Sequence, residues 1–195
     1  RRLVSELSEQ RAKPPIRRVG KLPEKPKGKL PTGDPAMIFQ VLTEEQLSPE
    51  LAALKPQYLY VPLTLMTEKL DLLRPFAEQG TIPVAVLPRV IADNEAAAVY
   101  DMLSRMFDQG VNEALVGNLG HAMLAKKAGM KLRGDFGLNT FNALSMEVIR
   151  QAGFISATAS FELRLSQIRD MIKPLDTELI IYGRIPLMVS DQCII

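Results

Sequence analysis

Residues 112–142 read NEALVGNLGHAMLAKKAGMKLRGDFGLNTFN, and two strand-to-helix transitions are packed into that stretch. Residues 114–116, Ala-Leu-Val, make a short apolar strand, after which Gly117-Asn118-Leu119-Gly120 turns the chain into a helix carrying His121. Residues 132–136 make the second strand, which leads through Asp135 and Gly137 to Asn139, with a helix expected to open at Thr140 and Asn142 close behind. Glycine permits the tight turn at a strand top, and Asn can accept from the orphan N–H groups of the helix that follows. In α/β folds the C-terminal ends of the strands face ligands, so this stretch marks where a site is expected.

Working outward, the same alternation fills most of the chain. Strands are expected at 37–42, 58–63, 83–87, 114–116, 132–136, 155–159 and 178–182, with 185–189 an eighth or a continuation of the seventh. Helices are expected around 49–54, over 68–79, from an Asp93 or Asn94 cap through 109, and at 165–172 before Pro174, besides the two that follow Gly120 and Asn139. Gly80, Gly110, Gly129 and Gly153 each stand where a helix should stop. Successive βα units require a parallel sheet, because parallel neighbours need crossover connections. The spacing predicts a TIM-like (β/α)8 barrel, or a partial barrel of about seven parallel strands. The alternative is an open doubly wound parallel sheet, which the absence of a G-x-G-x-x-G fingerprint disfavours.

Side chains alternate across a strand, so parity sorts the two faces. Arg133 and Asp135 share the face opposite Leu132 and Gly134; Ser156, Thr158 and Ser160 oppose Ile155, Ala157 and Ala159, and Glu162 continues the polar row. If the apolar parity packs on helices, the polar parity points inward. One mouth should then collect Asn118, Asp135, Asn139, Ser160, Glu162, Tyr182 and Arg184, with His121 close by and strands one to three adding chiefly Tyr60 and Arg89. Each has a plainer reading: Asn118 and Asn139 as helix caps, Asp135, Glu162 and Arg184 as a structural charge network, and His121 as a surface residue. Glu178 falls at the start of the expected seventh strand, the end of a barrel that serves stability. Arg184, a fixed cation with a planar fork, is suited to clamp an anionic or planar substrate beside Tyr182.

Composition narrows the class. There is no run of eighteen uninterrupted apolar residues, so no membrane span is expected. A single cysteine, Cys193, precludes an internal disulfide and fits a reducing, cytoplasmic compartment. No H-E-x-x-H or other metal-ligand cluster occurs, and the one His and one Cys have no local catalytic motif around them. Residues 1–30 hold ten Lys or Arg against three Glu, whereas the rest of the chain is net acidic. Five prolines in residues 14–31 make residues 1–35 a basic, Pro-rich linker or arm ahead of a barrel-like domain over 36–195. A contact to a phosphate backbone is the other reading of that arm.

The blocks GNLGH (117–121) and GDFGLNTFN (134–142), SFELRLSQI (160–168), and ELIIYGRIPLMVSDQC (178–193) resemble, in that order, the collagenase-like peptidase family, number thirty-two among peptidases of unassigned catalytic type. The likeness covers about residues 37–195 and is closest to the C-terminal part of longer members, so segments on either side are expected in a parent protein. The resemblance implies either of two activities. The family name implies a hydrolase acting as peptidase or collagenase. Better-defined relatives imply hydroxylation of RNA bases or quinone precursors with a [4Fe–4S] cluster on four cysteines, and hence RNA as a partner. Cys193 stands where the family's cysteine region begins, and would be one cluster ligand in the parent. Glu178-Leu-Ile-Ile-Tyr182-Gly183 occupies the family's Glu-x-Phe-x-His-Gly block, with Tyr182 in place of the histidine. A non-catalytic binding module is the third reading.

Overall fold

The computed structural model describes residues 2–14, 20, 24, 34–186 and 189. Seven strands form one parallel sheet in the order of the chain: β1 (Ile38–Gln40), β2 (Tyr58–Pro62), β3 (Ile82–Val86), β4 (Glu113–Val116), β5 (Lys131–Gly134), β6 (Phe154–Thr158) and β7 (Asp176–Glu178). A doubly wound sheet reverses its strand order at a switch point. This one never does, so the doubly wound alternative is excluded and the sheet is a curled half-barrel. The curl is visible in one contact: the Tyr60 hydroxyl on β2 donates to Glu178 Oε2 on β7 at 2.7 Å, five strands away.

Helix α1 (Arg2–Ala12) precedes the sheet and buries none of its residues. Helices α2 (Pro49–Ala53), α3 (Leu63–Glu68), α4 (Arg74–Ala77), α5 (Ala96–Asp108), α6 (Leu119–Lys127), α7 (Ala143–Gln151) and α8 (Leu165–Asp170) fill the crossovers. Their termination follows one rule. Gly80, Gly110, Gly129 and Gly153 all lie at φ between 85° and 88°, a left-handed conformation that lets the next N–H reach back to the last turn. Thr81, Val111 and Met130 do so, donating to the carbonyls of Phe76, Met106 and Ala125. Helices α4, α5 and α6 thus end in Schellman turns just ahead of the next strands.

Two layers of core result. The outer layer packs Leu59, Val61, Ala85, Ala114, Val116, Leu132, Phe154 and Ala157 from the sheet against Met66, Phe76, Leu103, Ala125 and Ile149 of the helices. A smaller cluster, Tyr60, Val84 and Leu115 with Ile38, Tyr58 and Val86 at its margin, occupies the inside of the curl. Apolar parity therefore faces the helices and the opposite parity faces inward, as the alternation predicts.

Four expected elements differ. The helix expected over 68–79 is broken into α3, a 3-10 turn at Leu70–Leu73 and α4, because Pro75 lacks an N–H and can sit only in a first turn. The Asp93 or Asn94 cap is not made: Glu95 precedes α5, and its own carboxylate takes the Ala92 N–H instead. The helix expected at Thr140 begins at Ala143, after a 3-10 turn at Phe136–Leu138. The seventh strand lies at Asp176–Glu178 rather than 178–182. On the side facing β7 the last bond is from the Ala159 N–H to the Glu178 carbonyl, after which Leu163 closes a turn onto Ser160 and the chain of β6 no longer runs on as a strand. Leu179–Tyr182 therefore have no strand to extend along. Of the expected eighth strand, Ile185, Pro186 and Val189 are not in a strand, and residues 187 and 188 lie outside the described set.

Candidate functional site

Inside the curl sits an ionic cluster that five strands build together. Arg133 on β5 is 4% exposed. Its Nε donates to Glu113 Oε2 on β4 at 2.5 Å, and its Nη1 to Glu178 Oε1 on β7 at 3.0 Å and to Ser156 Oγ on β6 at 3.2 Å. The guanidinium plane lies 3.7 Å from the centroid of the Tyr58 ring on β2. Glu178 also accepts from Ser156 and Tyr60, so three donors converge on one carboxylate. Burial opposes the charge on Arg133, yet the Glu113 hydrogen bond and the two carboxylates outweigh it and hold the guanidinium more firmly protonated than usual. Burial first, and the Glu178 charge second, push the Tyr60 phenol well above its ordinary range, so it remains a donor. One cation against two carboxylates with every group bonded describes a satisfied plug, whose role is to hold the curl.

The C-terminal end of the half-barrel is less satisfied. Arg89, just past β3, lays its guanidinium over the Phe136 ring at 4.0 Å, and Phe136 meets Phe161 edge-on at 5.7 Å. Arg89 Nη2 stands 3.8 Å from Asp135 Oδ2, beyond hydrogen-bond reach, and is buried without a hydrogen-bond partner among the described residues. Asp135 Oδ1 instead accepts the Phe136 N–H at 2.7 Å. Burial raises the Asp135 carboxyl above the usual range, Glu178 adds to this, and the Phe136 N–H and Arg89 oppose it. Two glycines bring the backbones together here. A Cβ on Gly137 would stand 2.6 Å from the Gly117 carbonyl oxygen, so no side chain fits between the two turns. Around them opens a cleft of about 500 Å³ lined by Arg89, Gly117, Asn118, Gly137, Leu138 and Pro186 among others.

The expected residues divide accordingly. Asn118 caps α6, taking the Gly120 N–H at 2.9 Å, and also lines the cleft. Asp135 stands beside Gly117, a residue of the cleft wall, without lining the cleft itself. Asn139 does not cap a helix: it is left-handed, at φ 50°, closing the 3-10 turn. Asn142 caps α7 instead, accepting the Ser145 N–H at 2.9 Å. Ser160 is buried, and its Oγ accepts the Glu162 N–H. Glu162 and Arg184 are exposed and make no ion pair among the described residues, Tyr182 is 97% exposed, and none of the three lines the cleft. His121 is buried in the first turn of α6, not on the surface. Cys193 lies outside the described residues. Glu178 closes β7 rather than opening it, because the strand ends two residues after Asp176. Tyr60 and Arg89, minor in the sequence reading, are central here. Tyr58 and Glu113 are additional, and the signal for Glu113 was a lone acid two residues before the buried Leu115, on its parity.

Among the described residues no group of three or more His, Cys, Asp or Glu is placed to hold a metal ion, and no helix is long and apolar enough to cross a membrane. No curated protein matches the chain. The model of peptidase family U32 matches residues 68–195, about two thirds of the sequence, from the end of α3 onward. That span holds the Arg89 and Asp135 cleft and all of the blocks at 117–121, 134–142, 160–168 and 178–193. The chain belongs to peptidase family U32.

Proposed function

We propose that the cleft at the C-terminal end of the half-barrel is the substrate site of an enzyme, and that the substrate is a planar molecule bearing oxygen acceptors, such as a nucleobase or an aromatic acid. The observation that carries this reading is Arg89. Its guanidinium lies over the Phe136 ring, 4.0 Å from the centroid, Arg89 lines the cleft, and Nη2 is buried without a hydrogen-bond partner among the described residues. A buried donor without a partner is costly unless a ligand supplies an acceptor. A stacked guanidinium offers both a flat face and a directed fork, which suits planar acceptors better than a point charge would. Asp135, its carboxyl raised by burial, is the group able to carry a proton at the same place. Asn118, at the rim, supplies an amide to either kind of edge.

This reading agrees with hydroxylation of RNA bases or a related aromatic, one of the activities the family resemblance implies. Iron–sulfur chemistry is a separate matter: a cluster needs four thiolates and the sequence holds one cysteine. The residues present do not form that site, and no step is assigned to it. What this chain's residues do is bind, orient and hold a proton at Asp135.

The test is an amide footprint by two-dimensional NMR on the whole chain. Uracil and 4-hydroxybenzoate are expected to move the Gly117, Asn118 and Gly137 amides, and Arg89→Gln to abolish the effect. A Gly-Pro-Ala peptide moving these amides while the planar probes leave them in place would favour the peptidase reading and overturn this one.

A further inference from the structure

The charges around the mouth are unevenly placed. Arg89 lines the cleft, and every other described residue of the lining is neutral. Behind the lining the sign is reversed. Asp135 Oδ2 stands 3.8 Å from Arg89 Nη2, and a Cβ on Gly117 would meet that same oxygen at 3.4 Å. A carboxylate whose side chain is only 14% exposed thus lies directly against a residue of the cleft wall. Two residues earlier on the same face of β5, Arg133 is paired with two carboxylates, Glu113 and Glu178. The ionic groups at and beneath the cleft are therefore two cations against three carboxylates, an excess of one negative charge. The deeper layer reaches the mouth: burial is the main force raising the Asp135 carboxyl, and the Glu178 charge adds to it.

An uncompensated cation in a cleft would take an anion first, but Arg89 is already compensated from behind. A neutral carbonyl oxygen can accept from the guanidinium and leave its pairing with Asp135 undisturbed. A carboxylate or phosphate in the same place must shed its water and then meets the Asp135 charge about 7 Å away, beyond the guanidinium. With an effective dielectric between those of a protein surface and water, one unit charge at that separation alters affinity about tenfold. The described lining offers the anion no second cation in return.

We propose that Asp135 sets the charge selectivity of the cleft: it neutralises Arg89 from behind the wall, so that the site takes neutral planar molecules bearing a lactam or amide carbonyl and discriminates against carboxylates and phosphates of the same shape. The inference rests on the reading of the cleft as the substrate site and narrows it to the uncharged members of that class. The role needs no contact between Asp135 and the ligand, because it is exerted through Arg89 and through the field at Gly117.

Benzamide and benzoate test it on the whole chain. They share size and shape, each presents a carbonyl oxygen, and at about pH 8 only benzoate is charged. Affinities are read from the Gly117, Asn118 and Gly137 amides by two-dimensional NMR. Benzamide is expected to bind about fivefold or more tightly than benzoate, a comparison that needs no variant. Asp135→Asn keeps an oxygen for the Phe136 N–H and removes the charge. It should tighten benzoate about tenfold, change benzamide less than about twofold, and so reverse the order. Glu162→Gln, at an exposed acid outside the lining, should leave the ratio where it was. The inference is overturned if benzoate binds the unchanged chain as tightly as benzamide, if Asp135→Asn alters both alike, or if Glu162→Gln shifts the ratio as far. Uracil in parallel samples separates two kinds of failure. If uracil moves the amides while benzamide does not bind ahead of benzoate, the charge selectivity alone falls. If no planar probe moves them, the substrate reading of the cleft falls with it.

Discussion

Replacing Arg133 by Met removes the cation that holds the inside of the half-barrel together. The side chain is of similar length and apolar, so the change leaves little empty space and isolates the loss of charge. What it strands is explicit: Glu113 loses its 2.5 Å partner, and Glu178 loses one donor of three while keeping Tyr60 and Ser156. Removing one member of a buried ionic cluster typically costs about 3–5 kcal/mol. For a chain of this size that lowers the melting midpoint by about 6–20 °C. Urea unfolding followed by far-UV circular dichroism measures it directly. Changing Glu113 and Glu178 to Gln in the same variant should recover more than half of the loss, because no buried charge is then unpaired. A single-variant loss below about 1 kcal/mol, the range of an exposed pair, would refute the reasoning. So would a triple variant no more stable than the single one.

Three further outcomes follow from the same geometry. Tyr60→Phe deletes the hydroxyl that donates to Glu178 at 2.7 Å and should destabilise by about 1.5–3 kcal/mol in urea unfolding, as expected for a bond to a charged group. Asp135 has a folded pKa raised by burial. It favours the fold most at low pH and loses that contribution as pH rises from the unfolded value through the folded one. Asp135→Asn should therefore gain stability relative to the parent as pH rises from 4 to 7, measured as the difference in urea midpoints. Gly137→Ala places a Cβ 2.6 Å from the Gly117 carbonyl oxygen. It should displace one of the two turns and abolish binding of uracil in the amide footprint, while the far-UV spectrum is retained.

Much of this architecture is written in local signals. The glycines at 80, 110, 129 and 153 stop helices in the left-handed conformation, and after the first three the next residue's N–H reaches back to the helix. Strand parity placed Arg133 and Ser156 inside and Leu132 and Ala157 against the helices. The polar convergence was only half legible. Asn118 lines the cleft and Asp135 stands behind its wall residue Gly117, whereas Glu162, Tyr182 and Arg184 are exposed and outside its lining. The reason is a two-residue displacement of β7. Residues 178–182 carry β-branched and aromatic side chains typical of a strand, yet a parallel strand can extend only as far as its neighbour. The partner β6 ends at Thr158, and its next residues turn toward Thr140. That shift moved Glu178 from the expected start of a strand to its end, into reach of Arg133 and Tyr60. Arg89 was undervalued for a similar reason. Its importance comes from Phe136, which is distant in sequence and meets it only once the sheet has curled.

If the Arg89 cleft receives a planar substrate, a crystal grown with 5-bromouracil will hold the base there. Anomalous scattering locates the bromine without reference to any interpretation of the ligand. A bromine site is expected between Arg89, Asn118 and Gly137, with a base oxygen within hydrogen-bond distance of the Arg89 guanidinium, and that site should be lost in Arg89→Gln crystals. Bromine found only elsewhere on the molecule, or persisting in the cleft unchanged after Arg89→Gln, would contradict it.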